Sequence, residues 1–341
     1  MSLFLESGYL NIREILNSNS SFIFIVGARG VGKTYGALKY ALESGAVFGY
    51  MRRTQAQADI INKEEFSPLK PVLEEKGLNI GIQKVTKYSA GFYAYDIDEK
   101  GKRVYEDTAV GYTLALSTVA NLRGFDMSDM KLLIYDEFIP EKHERLMKGE
   151  GNALLNCYET ISRNRELNGQ KPLKLLCLAN SNDLINPVFE AFGITEKAES
   201  MHRKKQIFSR LSERSIDIYL IYNSPVSAKK ADTALYKAAQ DSTFKEMALN
   251  NDFNMNVSDV GSVNIIEYAP YIQVEKFYVY KHKFHNLYYV TDKPMNQFSL
   301  VISRKQLFVY PMLKLAYLNS LYIFENYVIK KEYLIMLNID Y

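Results

Sequence analysis

Eight consecutive residues, Gly27-Ala28-Arg29-Gly30-Val31-Gly32-Lys33-Thr34, satisfy the pattern G-x-x-x-x-G-K-[ST]. That spacing builds the loop that wraps a nucleotide's phosphates, because backbone amides and a helix N-terminus concentrate positive potential there. Within it Lys33 would reach the β- and γ-phosphates and the Thr34 hydroxyl would ligate magnesium, so ATP and Mg2+ are the expected ligands. A second signature is Leu132-Leu133-Ile134-Tyr135-Asp136-Glu137. An apolar strand ending in an acidic pair sets carboxylates at the C-terminal edge of a parallel sheet, beside the phosphates. Asp136 would hold the magnesium shell, and Glu137 would polarise the attacking water as general base.

Phosphoryl transfer also needs positive charge as the γ-phosphate leaves, and an arginine finger supplies about 10³–10⁵ in rate. Arg163 is the first choice, at the end of an expected helix; Arg165 is the second, and Arg123 before the acidic strand the third. The bland alternative is basic residues complementing a helix C-terminus. Asn180, after an apolar strand expected beside the phosphate loop, can hydrogen-bond the attacking water or the γ-phosphate. Arg52-Arg53 ends a strand on the same sheet edge and reads equally as a phosphate or neighbour contact or as a solvated strand end. Arg29 is bulky for its place in the loop; phosphate and a neighbouring subunit are both open to it.

These residues need an α/β frame. Phe22 to Val26 reads as a buried strand, Thr34 to Ser44 as a helix closed by Gly45, and Ala46 to Met51 as a second strand. Pro68 and Pro71 interrupt a helical stretch from Ala56 to Lys76. Ile80 to Tyr95 and Arg103 to Leu116 read as a β-excursion folded at residues 96–101. Lys131 to Tyr135, Lys174 to Leu178 and Ile216 to Tyr222 continue the core strands, with a helix from Asn152 to Arg163 between the first two. Strand and helix alternate, as a mostly parallel sheet with crossover helices requires.

Three parts are expected: an ATPase domain over 1–224, a helical linker or lid over 225–262, and a small α+β domain over 263–341. In the lid, Ser227 to Asn250 reads as helical and Asn251 to Ser262 as linker. In the last part, Phe277 to Tyr280 and Leu287 to Val290 read as strands, and Lys305 to Leu337 as two helices separated near Asn319. The 341 residues carry 47% hydrophobic and 24% charged side chains, ordinary for a chain with a real core. A net charge of +3 is too small to argue for nucleic acid by itself. Cys157 and Cys177 sit among apolar residues, so buried thiols in a reducing, intracellular setting are expected, with no membrane span. His282 and His285 lack partners for a metal site; with Lys281 and Lys283 they suggest a tyrosine-rich basic surface instead.

Phe24 to Thr34, Tyr50-Met51-Arg52-Arg53, Tyr135 to Ile139, Ser162 to Glu166 and Asn186-Pro187 occur in this order. Together they resemble the genome-packaging ATPases of small podoviruses of the phi-29 type, over roughly residues 22 to 192 and faintly from Ser224 onward. The resemblance implies a RecA-like P-loop core of the additional-strand, catalytic-glutamate class, followed by a small domain similar to a degenerate RNase H-type nuclease. It implies a ring, of five subunits, that drives double-stranded DNA through a portal into a preformed procapsid, anchored in part by a structural prohead RNA. It also implies work in the host cytoplasm, transiently at the portal vertex, and absence from the mature virion. By position, Lys33 and Thr34 match the phosphate and magnesium residues, Asp136 and Glu137 the acidic pair, Arg163 the trans-acting finger, and Arg123 a second basic residue acting across the subunit boundary. Glu267, Glu275 and Asp292 are scattered, so nuclease activity is not expected. A helicase or an ATP-gated scaffold shares the core; the short remainder weighs against the first and Glu137 against the second.

Overall fold

The glycine-rich loop leaves the interior of a nine-stranded sheet, two strands in from one side. In chain order its strands are β1 (Phe22–Gly27), β2 (Phe48–Arg52), β3 (Ile80–Lys84), β4 (Ala90–Ile97), β5 (Arg103–Ala115), β6 (Leu132–Asp136), β7 (Lys174–Asn180), β8 (Phe208–Leu211) and β9 (Ile216–Ile221). In space they run β3-β4-β5-β2-β6-β7-β1-β9-β8. The six from β5 to β9 are mutually parallel, while β3, β4 and β8 join the two edges antiparallel. This is a computed structural model; it describes residues 2–122, 124, 126–140, 147, 149–180, 184–222, 224–230, 232–238, 260–261 and 263–339. By internal contacts the chain divides into two compact units, Met1–Asn254 and Met255–Tyr341.

In the first unit the helices are α1 (Ile12–Leu16), α2 (Lys33–Ser44), α3 (Gln55–Ile61), α4 (Lys70–Lys76), α5 (Glu150–Ser162), α6 (Pro187–Ala191), α7 (Thr195–Arg203), α8 (Pro225–Lys230) and α9 (Ala234–Ala238). β7 lies between β1 and β6, pairing with both, so one strand separates the phosphate loop from the acidic pair. The expected β-excursion forms β3, β4 and β5 and joins the core sheet: the far half of β5 pairs parallel with β2, and β3 and β4 extend the same sheet. The helical stretch from Ala56 breaks into α3 and α4. Pro71 falls in the first turn of α4, where a missing N–H costs nothing.

Side-chain alternation along β1 divides the core into two layers. Ile23 and Ile25 pack toward α2 with Ala37, Leu38 and Ala41. Phe24 faces the other way, its ring 5.0–6.1 Å from those of Phe138, Phe189 and Phe192. Burying each large side chain of this kind stabilises the fold by about 1.5–3 kcal/mol, which fixes β1 and hence the loop that leaves it. Cys157 and Cys177 are free thiols buried in this core, and burial pushes the Cys157 thiol up to about 12.

The second unit holds β10 (Tyr268–Val274), β11 (Phe277–His282), β12 (Tyr288–Thr291), β13 (Val301–Ile302) and β14 (Tyr322–Phe324), in the order β13-β10-β11-β12-β14. Its helices are α10 (Pro311–Leu318) and α11 (Tyr327–Met336). Asn319 caps α10, and the short β14 stands between the two helices. Of the expected lid, residues 239–259 lie outside the described residues, as do 223, 231 and 262.

Candidate nucleotide site

β1 ends at Gly27 and α2 starts at Lys33, so five residues make the turn. Gly30 and Gly32 hold φ values of 74° and 87°, a region that side-chain-bearing residues enter at a cost. Gly32 is the N-cap of α2, and no side chain caps its first turn. The leading amides of a twelve-residue helix are therefore left to an anion. The N-terminal arm braces the loop from outside. The Leu10 amide donates to the Val31 carbonyl at 2.9 Å, and the Tyr9 ring lies against Gly32. Nothing in the sequence pattern marked Tyr9 or Leu10.

Lys33 is buried. Its ammonium donates to the carbonyls of Gly27 and Ala28 at 2.7 and 2.8 Å, and to Asn180 Oδ1 at 3.1 Å. Burial lowers its pKa to about 7 against the pull of Asp136, so an anion arriving at the loop would favour the charged form. Asn180 arrives by register: as the last residue of β7 it stands opposite Gly27.

Asp136, the last residue of β6, is equally enclosed. Its Oδ2 accepts from the Thr34 hydroxyl at 2.8 Å and from the Tyr50 hydroxyl at 2.7 Å, and its Oδ1 accepts from the Glu137 amide at 3.0 Å. Burial, then the neighbouring Asp136 charge, drives the Tyr50 pKa far up, so that phenol remains a donor. Thr34 and Asp136 thus bring hard oxygen donors together, the chemistry a small divalent cation such as Mg2+ selects. Glu137 takes a positive φ of 55°. It forms an ion pair with Arg52, whose other terminal nitrogen lies 3.8 Å from Asp136. The Arg52 Nε is buried with no acceptor among the described residues, leaving a donor unspent beside the acidic pair. Lys33 joined to Asn180, and Thr34, Tyr50, Asp136, Glu137 and Arg52 joined to one another, line a single sheet edge.

The arginines separate by role. Arg53 is no solvated strand end: it is 1% exposed and grips Glu150 through two bonds of 2.7 and 3.0 Å, and Glu150 also accepts from Tyr135. Arg165 is no free finger either. Buried, it donates to the carbonyls of Ser128, Met130, Ile161 and Ser162, which fixes the turn after α5. Arg163 is the half-exposed C-cap of α5 and pairs with Asp126 at 3.2 Å. As the crossover from β6 to β7, α5 runs from the loop-bearing sheet edge to the opposite edge. Thirteen residues at 1.5 Å each put Arg163 about 20 Å from the Glu150 end. Arg29 is exposed at the loop's crest, and Arg123 lies outside the described residues.

A family model described as podovirus DNA encapsidation protein (Gp16) matches residues 5–338. The DNA packaging protein of Bacillus phage phi29 is 25% identical over 361 residues, spanning 95% of this chain and 96% of the relative. That of Bacillus phage B103 is 26% identical over 243 residues, 70% of this chain and 65% of the relative. Among solved structures, the bacteriophage Phi-29 viral genome packaging motor assembly is similar at a TM-score of 0.63 and 20% identity, covering 99% of both chains. The Phi-28 gp11 DNA packaging motor follows at 0.59 and 18%, covering 98% of this chain and 99% of that one.

Proposed function

This chain belongs to the podovirus DNA encapsidation protein (Gp16) family, and on that basis we propose that it is an ATP-driven motor that packages double-stranded viral DNA into a procapsid. The observation that carries the reading is the joint Thr34–Asp136 and Lys33–Asn180 hydrogen bonding at the loop, with Glu137 one residue beyond. Lys33 and the α2 amides would hold the β- and γ-phosphates, and Thr34 and Asp136 would hold Mg2+, which neutralises charge on the phosphate oxygens. Glu137 would accept the proton of the attacking water at a carboxylate oxygen once Arg52 releases it. Asn180 would orient that water or register the loss of the γ-phosphate.

Arg163 would act in trans. Its place at the far end of α5 from the acidic pair supports a site completed by a neighbour's arginine, hence a ring; Arg123 remains a second trans candidate by resemblance alone. Five subunits, a portal, prohead RNA and residence in the host cytoplasm until docking at the portal vertex are the finer parts of the proposal. We further propose no nuclease activity for the second unit: Glu267 engages Asn264 and His282, and Glu275 accepts the Arg304 amide. Plasmid cleavage with manganese would overturn that. The main experiment measures ATPase rate with and without double-stranded DNA, alongside mass with a non-hydrolysable ATP analogue. DNA-stimulated hydrolysis and a nucleotide-dependent oligomer are expected; DNA-independent turnover by a constant monomer would refute the motor.

A further inference from the structure

Lys230, the last residue of α8, donates from Nζ to the Arg29 carbonyl at 2.6 Å, across 201 residues of sequence. Its ammonium lies directly over Gly30: a Cβ built there would stand 1.9 Å from Nζ. The loop is bare of side chain where this cation rests. The other end of α8 also packs on the N-terminal arm, since a Cβ on Gly8 would come within 2.9 Å of Pro225. An ammonium has three donors, and the Arg29 carbonyl takes one of them. Burial lowers the Lys230 pKa. With Lys33 donating to the Gly27 and Ala28 carbonyls and Lys230 to that of Arg29, three cations, Arg29, Lys33 and Lys230, gather on one short loop at mutual electrostatic cost, which a polyanion would offset.

We propose that Lys230 is a third cation of the triphosphate site, contacting the phosphate chain of a bound nucleoside triphosphate and thereby holding α8 against the loop. This rests on the reading of residues 27–34 as a nucleotide cradle. No sequence motif marks Lys230, because the helix that delivers it begins nearly 200 residues after the loop.

The test is calorimetric binding of AMP-PNP, and separately of inorganic tripolyphosphate, to the full chain in Mg2+ buffer. Wild type is compared with Lys230→Met, Lys230→Gln, Lys230→Arg and Lys33→Ala. Loss of one charge-assisted contact predicts that Lys230→Met and Lys230→Gln weaken both ligands about tenfold, while Lys230→Arg stays within about threefold of wild type. Either neutral variant binding AMP-PNP as wild type does would overturn the assignment, as would an arginine variant as weak as the neutral ones. Lys33→Ala separates the two levels. If it loses binding while the Lys230 variants keep it, the cradle stands and this inference falls; if it binds normally, the cradle itself is misread.

Discussion

Arg163 holds φ 48° and ψ −144°, a backbone region that residues with a Cβ occupy at a cost of about 1–3 kcal/mol. Comparing Arg163→Gly with Arg163→Ala isolates that cost. Both remove the guanidinium and its pairing with Asp126, which lies in solvent and contributes little. They differ in the Cβ: glycine relieves the positive φ, against the extra freedom of about 0.5–1 kcal/mol that it gains in the unfolded chain. The glycine variant should therefore be more stable than the alanine variant by about 1 kcal/mol, or about 2 °C in melting midpoint for a chain of this size. Both should bind AMP-PNP as wild type does, yet poison hydrolysis when mixed into wild-type assemblies. Alanine matching glycine in stability would refute the strained geometry. Activity falling only in proportion to the fraction of variant would refute a shared site. Greater stability with lost function would mean that the strain is retained for what Arg163 does.

Glu137→Gln should keep nucleotide binding and lower turnover about 10²–10⁴-fold, read as a single-turnover rate; wild-type turnover would remove Glu137 from its role. Glu150→Ala removes the carboxylate that accepts two bonds from the buried Arg53 and should cost about 3–5 kcal/mol in a denaturant titration, whereas replacing both residues by leucine should cost less; equal losses would refute the pairing argument. Asp217, fully buried in its side chain, is desolvated, but Arg210, Ser18 and Ser20 bind its charged form and hold its carboxyl below the usual range. Its stabilisation is then complete above the unfolded-state value of about 3.9 and is lost as pH falls through the lower folded value. Asp217→Asn should remove about 2 kcal/mol near neutrality and flatten the fall in melting midpoint below about pH 4; an unchanged acid limb would refute the assignment.

The loop and the acidic strand were legible because each is local. Eight residues specify the turn, six specify the strand end, and neighbouring hydrophobic runs specify the elements on either side. Asn180 was legible through its strand, since pairing with β1 puts it opposite Gly27. What stayed hidden depends on contacts between distant segments. Arg52 and Arg53 are adjacent, but strand alternation sends one to Glu137 and the other to Glu150, and only the fold names those partners. Arg165 read as a finger because its carbonyl ligands come from the turn before β6 and the end of α5. Tyr9 and Lys230 reach the loop from segments with no motif of their own.

The two edges of the sheet bear on the proposed sharing of the site between subunits. Parallel strands end together, so the phosphate loop, Asn180, Asp136 and Glu137 share an edge by necessity. A crossover helix must return to the opposite edge before the next parallel strand can start, and α5 carries Arg163 there. Bending α5 back is opposed at both ends. Glu150 is locked to Arg53 and Tyr135, and Arg165 is caged by four carbonyls just beyond Arg163. On the proposed reading, an arginine about 20 Å from the Glu150 end of its own helix would serve phosphoryl transfer by facing the loop of another subunit.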